Sequence, residues 1–411
     1  CSQMFQILAT FAASSQLGPL PIRNCKVEQM KVEILHSGFD GLRLTIETDI
    51  PPSLRERLSA AKAEAVETNR DCVLTFDDVA LGVRRSGGMA FSAHTGDMGA
   101  EWYFLDPENR PASNPGITVD FRASLLATGG LKAAQDHLET CMQAFGIPYG
   151  DNQLRVTRTD FAVDFLAPWF EPDRNHLVLP PNTKAVEFTG PSDSETHASG
   201  TRVTGLRAGK GENRQLVIYD KRAEVLEKRK AGWLKIWNAT RASMDKPALD
   251  INDPDQSRVW RFELRMGRKQ LRERFDIRGW DDLDAQVGDA FTDFCERMRY
   301  CIPTIDRNRA RWPTHELWEA VARTVALDLH ENIAGVLPRD VKDANREEHM
   351  RMLDRQLLGL FISRAAASAM DAEDFSDFME SHVNALQRAS DEHPVPLDER
   401  IGKAAARYRW A

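Results

Sequence analysis

The chain has 411 residues, a net charge of −8, 42% hydrophobic and 28% charged residues, the make-up of an ordinary globular protein of two or three domains. No run approaches the roughly 18 apolar residues of a membrane span, and net acidity argues against a general nucleic-acid coat. Six cysteines, at 1, 25, 72, 141, 295 and 301, form no CxxC pair and suit reduced thiols in a cytoplasm.

The N-terminal stretch 1–30 is mildly apolar but has no basic region before its apolar run, which argues against a secretory signal. Alternation over 32–47 predicts a hairpin turning at Phe39-Asp40-Gly41. A helix over 54–68 follows Pro51-Pro52. Strands are expected over 73–83, 89–93 and 101–105, joined by glycine turns, and over 117–125. An amphipathic helix over 130–145 turns Leu131, Ala134, Leu138, Cys141, Met142 and Phe145 inward.

The next strand, 154–165, divides its side chains by period two. Thr157, Thr159, Phe161, Val163 and Phe165 share a mostly apolar face, while Arg158, Asp160, Ala162 and Asp164 share the other. Two carboxylates and a guanidinium on one face call for solvent, a partner or a metal. Residues 173–199, rich in Pro, Asn, Ser, Thr and Asp, read as a long loop, of the kind that is functional or disordered in a compact domain. Strands over 201–207 and 215–219 follow, the second delivering Tyr219, Asp220 and Lys221 at its end. A helix over 222–237, a polar linker over 239–257 and a strand over 259–266 complete this part. In that last strand Arg261, Glu263 and Arg265 share one face, and Trp260, Phe262, Leu264 and Met266 the other. Any one of these strands is also what a half-exposed antiparallel sheet with ordinary surface charges looks like.

Three collinear motifs, R-x-D-x-A-x-D (Arg158 to Asp164), IYDKRAE (from Ile218) and WRFELR (from Trp260), separated by a glycine-bearing GLRAGKGENRQ segment, lie within 116–274. This set resembles the replication initiation factor family of plasmids, filamentous phages and integrative conjugative elements, a divergent relative of the rolling-circle initiators and relaxases. The resemblance implies an α+β, antiparallel-sheet catalytic core of the rolling-circle initiator type over 31–280, and the recurrence of strands–helix–strand on both sides of residue 165 suggests that its sheet is pseudo-duplicated. It implies a DNA strand transferase, a site-specific endonuclease whose tyrosine nicks one strand, keeps a 5′-phosphotyrosine link and frees a 3′-hydroxyl. Carried over, Tyr219 is the nucleophile, Lys221 and Arg158 contact phosphate, and Asp160 and Glu263, with Asp164 and Asp220, are metal ligands for Mg²⁺ or Mn²⁺. A conjugative relaxase and a catalytically silent origin-binding protein are the alternatives.

The chemistry is coherent. A phenol titrates near pH 10 and needs a cation or metal nearby to become a nucleophile, and a covalent intermediate conserves the phosphodiester energy for rejoining. Most members of the wider group bind metal through His-hydrophobe-His. That motif is missing, and His94, His176 and His197 read as isolated surface histidines. Carboxylate ligation would turn preference away from zinc. Tyr103 and Tyr149 read as a sheet and a turn residue, and Cys295 and Cys301 as core.

Between 201 and 274 there are 19 Lys/Arg against 10 Asp/Glu, a basic excess in an acidic chain. Phosphate-dominated binding needs such a patch rather than a basic protein; Arg207, Lys210, Arg214, Arg261 and Arg265, with Arg158, are the expected DNA contacts. Trp233 and Trp237, four apart, fit either base stacking or one apolar helix face. Beyond 280, helical periodicity takes over at 283–300, 315–329, 340–370 and 374–390, predicting an α-helical C-terminal domain over 281–411. It carries no catalytic set and is suited to homodimerise, dock a helicase or bind duplex DNA.

Overall fold

The structure, a computed structural model, describes residues 32–87, 89–109, 116–188, 203–327 and 329–407. Its frame is one antiparallel sheet of 11 strands with two long central members. In chain order the first part comprises β1 (Glu33–Glu47), α1 (Pro52–Thr68), β2 (Cys72–Phe76), β3 (Val79–Val83), β4 (Phe91–His94), β5 (Ala100–Phe104), β6 (Gly116–Phe121) and α2 (Ala123–Ala144). The second part comprises β7 (Leu154–Leu166), β8 (Leu177–Val178), β9 (Ala185–Phe188), β10 (Gly205–Gly209), β11 (Arg214–Asp220), α3 (Lys221–Glu227), α4 (Ala231–Ser243), α5 (Pro254–Ser257), β12 (Val259–Gly267), α6 (Arg268–Phe275) and α7 (Trp280–Arg297). There follow β13 (Arg299–Tyr300), α8 (Glu316–Val325), α9 (Pro338–Ala367), α10 (Phe375–Asp391) and α11 (Leu397–Arg407).

The sheet order is β2-β3-β4-β5-β6-β1-β7-β12-β11-β10-β9. Read outward from the β1–β7 pair, each half is a meander whose innermost strand comes last in sequence and leads into helices, α2 after β6 and α6–α7 after β12. The fold is therefore α+β with an antiparallel sheet and a helical C-terminal region, as the sequence predicts.

The apolar strand faces build the main core. Phe161 lies 5.8 Å from Phe39 and 5.8 Å from Phe291 of α7, and Phe262 lies 6.3 Å from Trp318 of α8. Helices α7 and α8 thus pack on the sheet through Leu283, Val287, Phe291, Phe294, Leu317 and Trp318. The change in character comes at α9, where Met350, Leu357, Leu358, Leu360 and Ile362 stand half or more exposed. A smaller cluster joins Trp233, Ile236 and Trp237 of α4 to Leu35, Val259 and Val341.

Several expected elements differ, each for a local reason. The expected hairpin at 32–47 is one 15-residue strand; Phe39-Asp40-Gly41 forms a bulge in the β1–β7 ladder instead of a turn. Residues 73–83 turn back at Asp77, in the left-handed region at φ 48°, giving β2 and β3. The strand predicted to 125 stops at Phe121, and the following helix starts at Ala123, kinked at Gly130, whose φ of 62° favours glycine. The expected loop 173–199 contains β8 and β9, its remainder from 189 lying outside the described residues. The expected 222–237 helix is broken between α3 and α4 where Arg229 takes φ 52°, and α4 runs on into the expected linker.

Candidate active site

The three motif strands are neighbours, in the order β7-β12-β11. Register sets their faces. Gln215 pairs with Arg265 and Arg265 with Asp160; Val217 pairs with Glu263; Tyr219 pairs with Arg261 and Arg261 with Asp164. Cross-strand partners point to the same side, so Tyr219, Glu263 and Asp160 share one face, opposite the aromatic core. Asp220 has the other parity, and its Oδ1 accepts from Ala223 N at 2.9 Å as the N-cap of α3. It stands apart from the other acids.

The acids on this face are all held by arginines. Arg158 donates Nε and Nη2 to the two Asp160 oxygens at 2.9 and 2.5 Å, and lies 3.9 Å from Glu263. Arg265 donates Nε and Nη2 to the two Glu263 oxygens at 2.6 and 3.1 Å. Arg261 grips Asp164 at 2.6 and 2.8 Å and Asp40 at 2.5 Å, and the Trp237 indole donates to Asp164 at 2.8 Å. Asp160, Asp164 and Glu263 are all buried. Among the described residues no group of three or more His, Cys, Asp or Glu is arranged to hold a metal ion. As placed, Asp160 and Glu263 suit guanidinium partners and not a metal cage.

Tyr219 is 9% exposed. The Lys221 ammonium lies 3.4 Å from its hydroxyl and 2.5 Å from Glu224, which Lys230 also contacts at 2.7 Å. Trp233 packs over the Lys221 and Arg261 cations at 4.8 and 4.1 Å. Burial, then Glu224, raises the phenol well above its usual pH 10, with Arg261 acting the other way. Burial and Arg261 lower Lys221, against Glu224 and Asp40. Burial pushes Asp160 up to about 6 despite Arg158. The phenol is a neutral group in a polar, ionic interior.

Beside this face lies a cleft of about 600 Å³. Asp160, Glu263 and Arg158 line it, with Lys228, Arg229 and Lys230 and the acids Asp97, Glu101, Asp120 and Glu348. Asn345 and His349 of α9 line another part of it.

The expected DNA contacts divide. Lys210 is exposed, Arg207 half-buried, and Arg158 and Arg265 border the acids. Arg261 is fully buried and Arg214 is 8% exposed, its guanidinium on Asp293 at 2.6 Å and Gln270 at 2.9 Å. Both are committed to buried or half-buried acids, and Arg261 has no exposed surface to offer DNA. Trp233 and Trp237 are core residues of α4, not stacking platforms. His94 lies 3.2 Å from Asp71, His176 stacks on Tyr300 at 5.2 Å, and His197 lies outside the described residues. Cys295 and Cys301 are buried.

Sequence reading missed Asp40 and Glu224. Asp40 reaches Arg261 because the β1 bulge adds a residue opposite Asp160. An Asp-Gly inside an otherwise alternating strand is a signal for that bulge as much as for a turn. Glu224 ends the Tyr-Asp-Lys motif segment one helical turn after Lys221, a spacing that makes an i,i+3 pair.

No protein-family model matches the chain, and no curated protein aligns with it. Among solved structures, it is similar to a rolling circle replication initiator protein from Geobacillus stearothermophilus, with a TM-score of 0.35 and 14% identity, covering 71% of this chain and 96% of that one.

Proposed function

We propose that this chain nicks and rejoins DNA with Tyr219 as nucleophile, to initiate rolling-circle replication or, with the same chemistry, conjugative transfer. The observation that carries the reading is the convergence on one sheet face of Tyr219, Lys221 at 3.4 Å from its hydroxyl, and the Asp160–Arg158 and Glu263–Arg265 pairs, beside a cleft edged by Lys228, Arg229 and Lys230. In the proposed step the phenol oxygen bonds to phosphorus, the bond from phosphorus to the 3′-oxygen breaks, and the 3′-oxygen leaves as a hydroxyl. Lys221, whose hold on its proton is weakened by burial, would act as the neutral amine 3.4 Å from the hydroxyl, taking the phenol proton and returning it to the leaving 3′-oxygen. Arg158 and Arg265 would meet the phosphate charge. A divalent cation on Asp160 and Glu263 would require both guanidiniums to release their carboxylates.

One observation favours a second reading, DNA binding without nicking: the phenol is buried and held in its neutral form. The test incubates the protein with supercoiled and oligonucleotide DNA in Mn²⁺, Mg²⁺ or chelator. The nicking reading expects a protease-sensitive protein–DNA adduct whose modified peptide carries Tyr219. Binding without an adduct in every condition leaves the second reading standing and removes the first. Survival of the adduct in chelator would dispose of the metal.

A further inference from the structure

A second hollow, of about 870 Å³, adjoins the cleft: Arg158 lines both. Its walls are the β10–β11 turn, at Gly211 and Glu212, and the start of α6, at Arg268, Lys269 and Arg272, with Arg43 of β1 on the sheet side. The turn sits close because Gly267, at the end of β12, leaves room that a Cβ would fill against Gly211 and Glu212. Its backbone NH donates to Asn213 O at 2.8 Å, and Lys269 N donates to Glu212 O at 3.1 Å.

The cations here differ from those of the cleft. Arg43 is held by Asp120 and Arg158 by Asp160. Arg268, Lys269 and Arg272 are exposed, and no ion pair engages them among the described residues. Two acids, Glu212 and Glu273, also line the hollow, which leaves a net positive wall. Among the described residues no aromatic side chain lines it, so these offer bases no stacking platform. Its volume falls within the range of ordinary ligand pockets, the scale of a few nucleotides of one strand.

We infer that this hollow is a backbone track: it holds the phosphates of single-stranded DNA flanking the scissile position and feeds the strand past Arg158 into the cleft. The inference rests on the nicking reading for its direction, and on the unpaired cations for its existence. Recognition through phosphates alone is indifferent to base identity and strongly salt-dependent.

The test uses the full chain in a Tyr219→Phe background, so that binding is read without chemistry. Anisotropy of labelled oligonucleotides, one all-thymidine and one of mixed sequence, is followed across salt concentrations for this protein and for an added Arg268→Gln/Lys269→Gln/Arg272→Gln triple variant. Expected is at least about a ten-fold loss of affinity and a salt slope smaller by about 2, near 0.7 per lost phosphate contact, equally for both oligonucleotides. A thermal melt checks that these exposed changes leave the fold intact. A triple variant that binds like its parent with the same slope overturns the track, as does a parent that binds no oligonucleotide or a loss confined to one sequence. The two readings fail separately: an adduct at Tyr219 with unaltered binding in the triple variant sinks only the track, and lost binding in the triple variant without any adduct in the wild-type chain sinks only the nicking.

Discussion

The polar face of the sheet is built from the same residue types on either side of the β1–β7 seam, yet the two sides behave differently. On the β6–β5 side, Glu101 is held by Arg84 and Arg122, and Asp120 by Arg43, whose side chains remain 35–40% exposed. Tyr103, on the same face, is half-buried. On the β12–β11 side, Arg261 and Asp164 are fully buried and Lys221, Glu224 and Glu263 nearly so. The difference is the cover. Helix α4 lays Trp233 and Trp237 over the second side. Wet ion pairs contribute little to stability, whereas dry ones are costly to break and shift the titration of everything beside them. Chemistry follows the cover more than the residue list.

The largest expected effect separates the two tyrosines. Tyr219→Phe is expected to lower adduct formation by about a thousand-fold or more, the scale seen when a nucleophile is removed, with oligonucleotide affinity retained. Tyr103→Phe should leave both within about two-fold. An adduct that moves to Tyr103, read by peptide mass spectrometry, would show that the open side and not the covered one carries the reaction.

Arginine removal should divide the sides in stability. Arg261→Gln leaves Asp164 and Asp40 buried without their cation, and is expected to cost about 3–5 kcal/mol in urea unfolding. Arg43→Gln breaks a pair whose arginine is 40% exposed, and should cost less than about 1 kcal/mol. Equal losses would mean that α4 does not seal its side.

Acid should find both sides. Burial holds His36, under the covered side, at about 4, with Arg261 and Lys221 lowering it further against Asp164 and Asp40. Burial also holds His137 of α2 at about 4, with Lys342 in the same direction. A histidine depressed in the fold contributes stability that is full above pH 6.5 and lost as pH falls through 4. Each shift corresponds to about 3 kcal/mol at most. Asp160, raised to about 6, has the opposite sign: its contribution is present below about pH 4 and lost as pH rises through 6. Urea midpoints should therefore fall between pH 6.5 and 4, and His36→Gln and His137→Gln should each flatten part of that slope. A midpoint that rises on acidification would mean that Asp160 outweighs both.

Much of this was legible in the sequence because period-two alternation survives the fold intact. The split of 154–165 and 259–266 into ionic and aromatic faces is the split seen in β7 and β12, and the pairing of β12 with both β7 and β11 brought the three motifs together. Burial was not legible. Arg261 and Arg265 occupy equivalent positions four residues apart on one face of the strand, but only Arg261 lies beneath Trp233, and nothing local to the strand announces a helix arriving from residue 231. The bulge at Asp40 was hidden for a related reason: Asp-Gly marks a turn and a bulge alike, and only the long ladder with β7 decides between them.

That bulge supplies the smallest and most local test. Gly41 sits at the seam between the two sides, directly against Asp160: a Cβ there would stand 2.5 Å from Oδ2 and 3.1 Å from the carboxyl carbon. Gly41→Ala must push the Asp160 carboxylate away from its place against Arg158 or displace β1. Overpacking of this kind costs about 1–3 kcal/mol. Because the displaced group belongs to the covered side, adduct formation should fall several-fold more than stability alone explains, while oligonucleotide affinity changes little. The control is Gly38→Ala, three residues earlier on the same strand, where a Cβ meets Asn332 O at 2.7 Å and the His36 ring, away from Asp160. A similar loss of stability with normal adduct formation is expected there. If both variants lose activity in proportion to stability, Asp160 serves the fold and takes no part in the reaction.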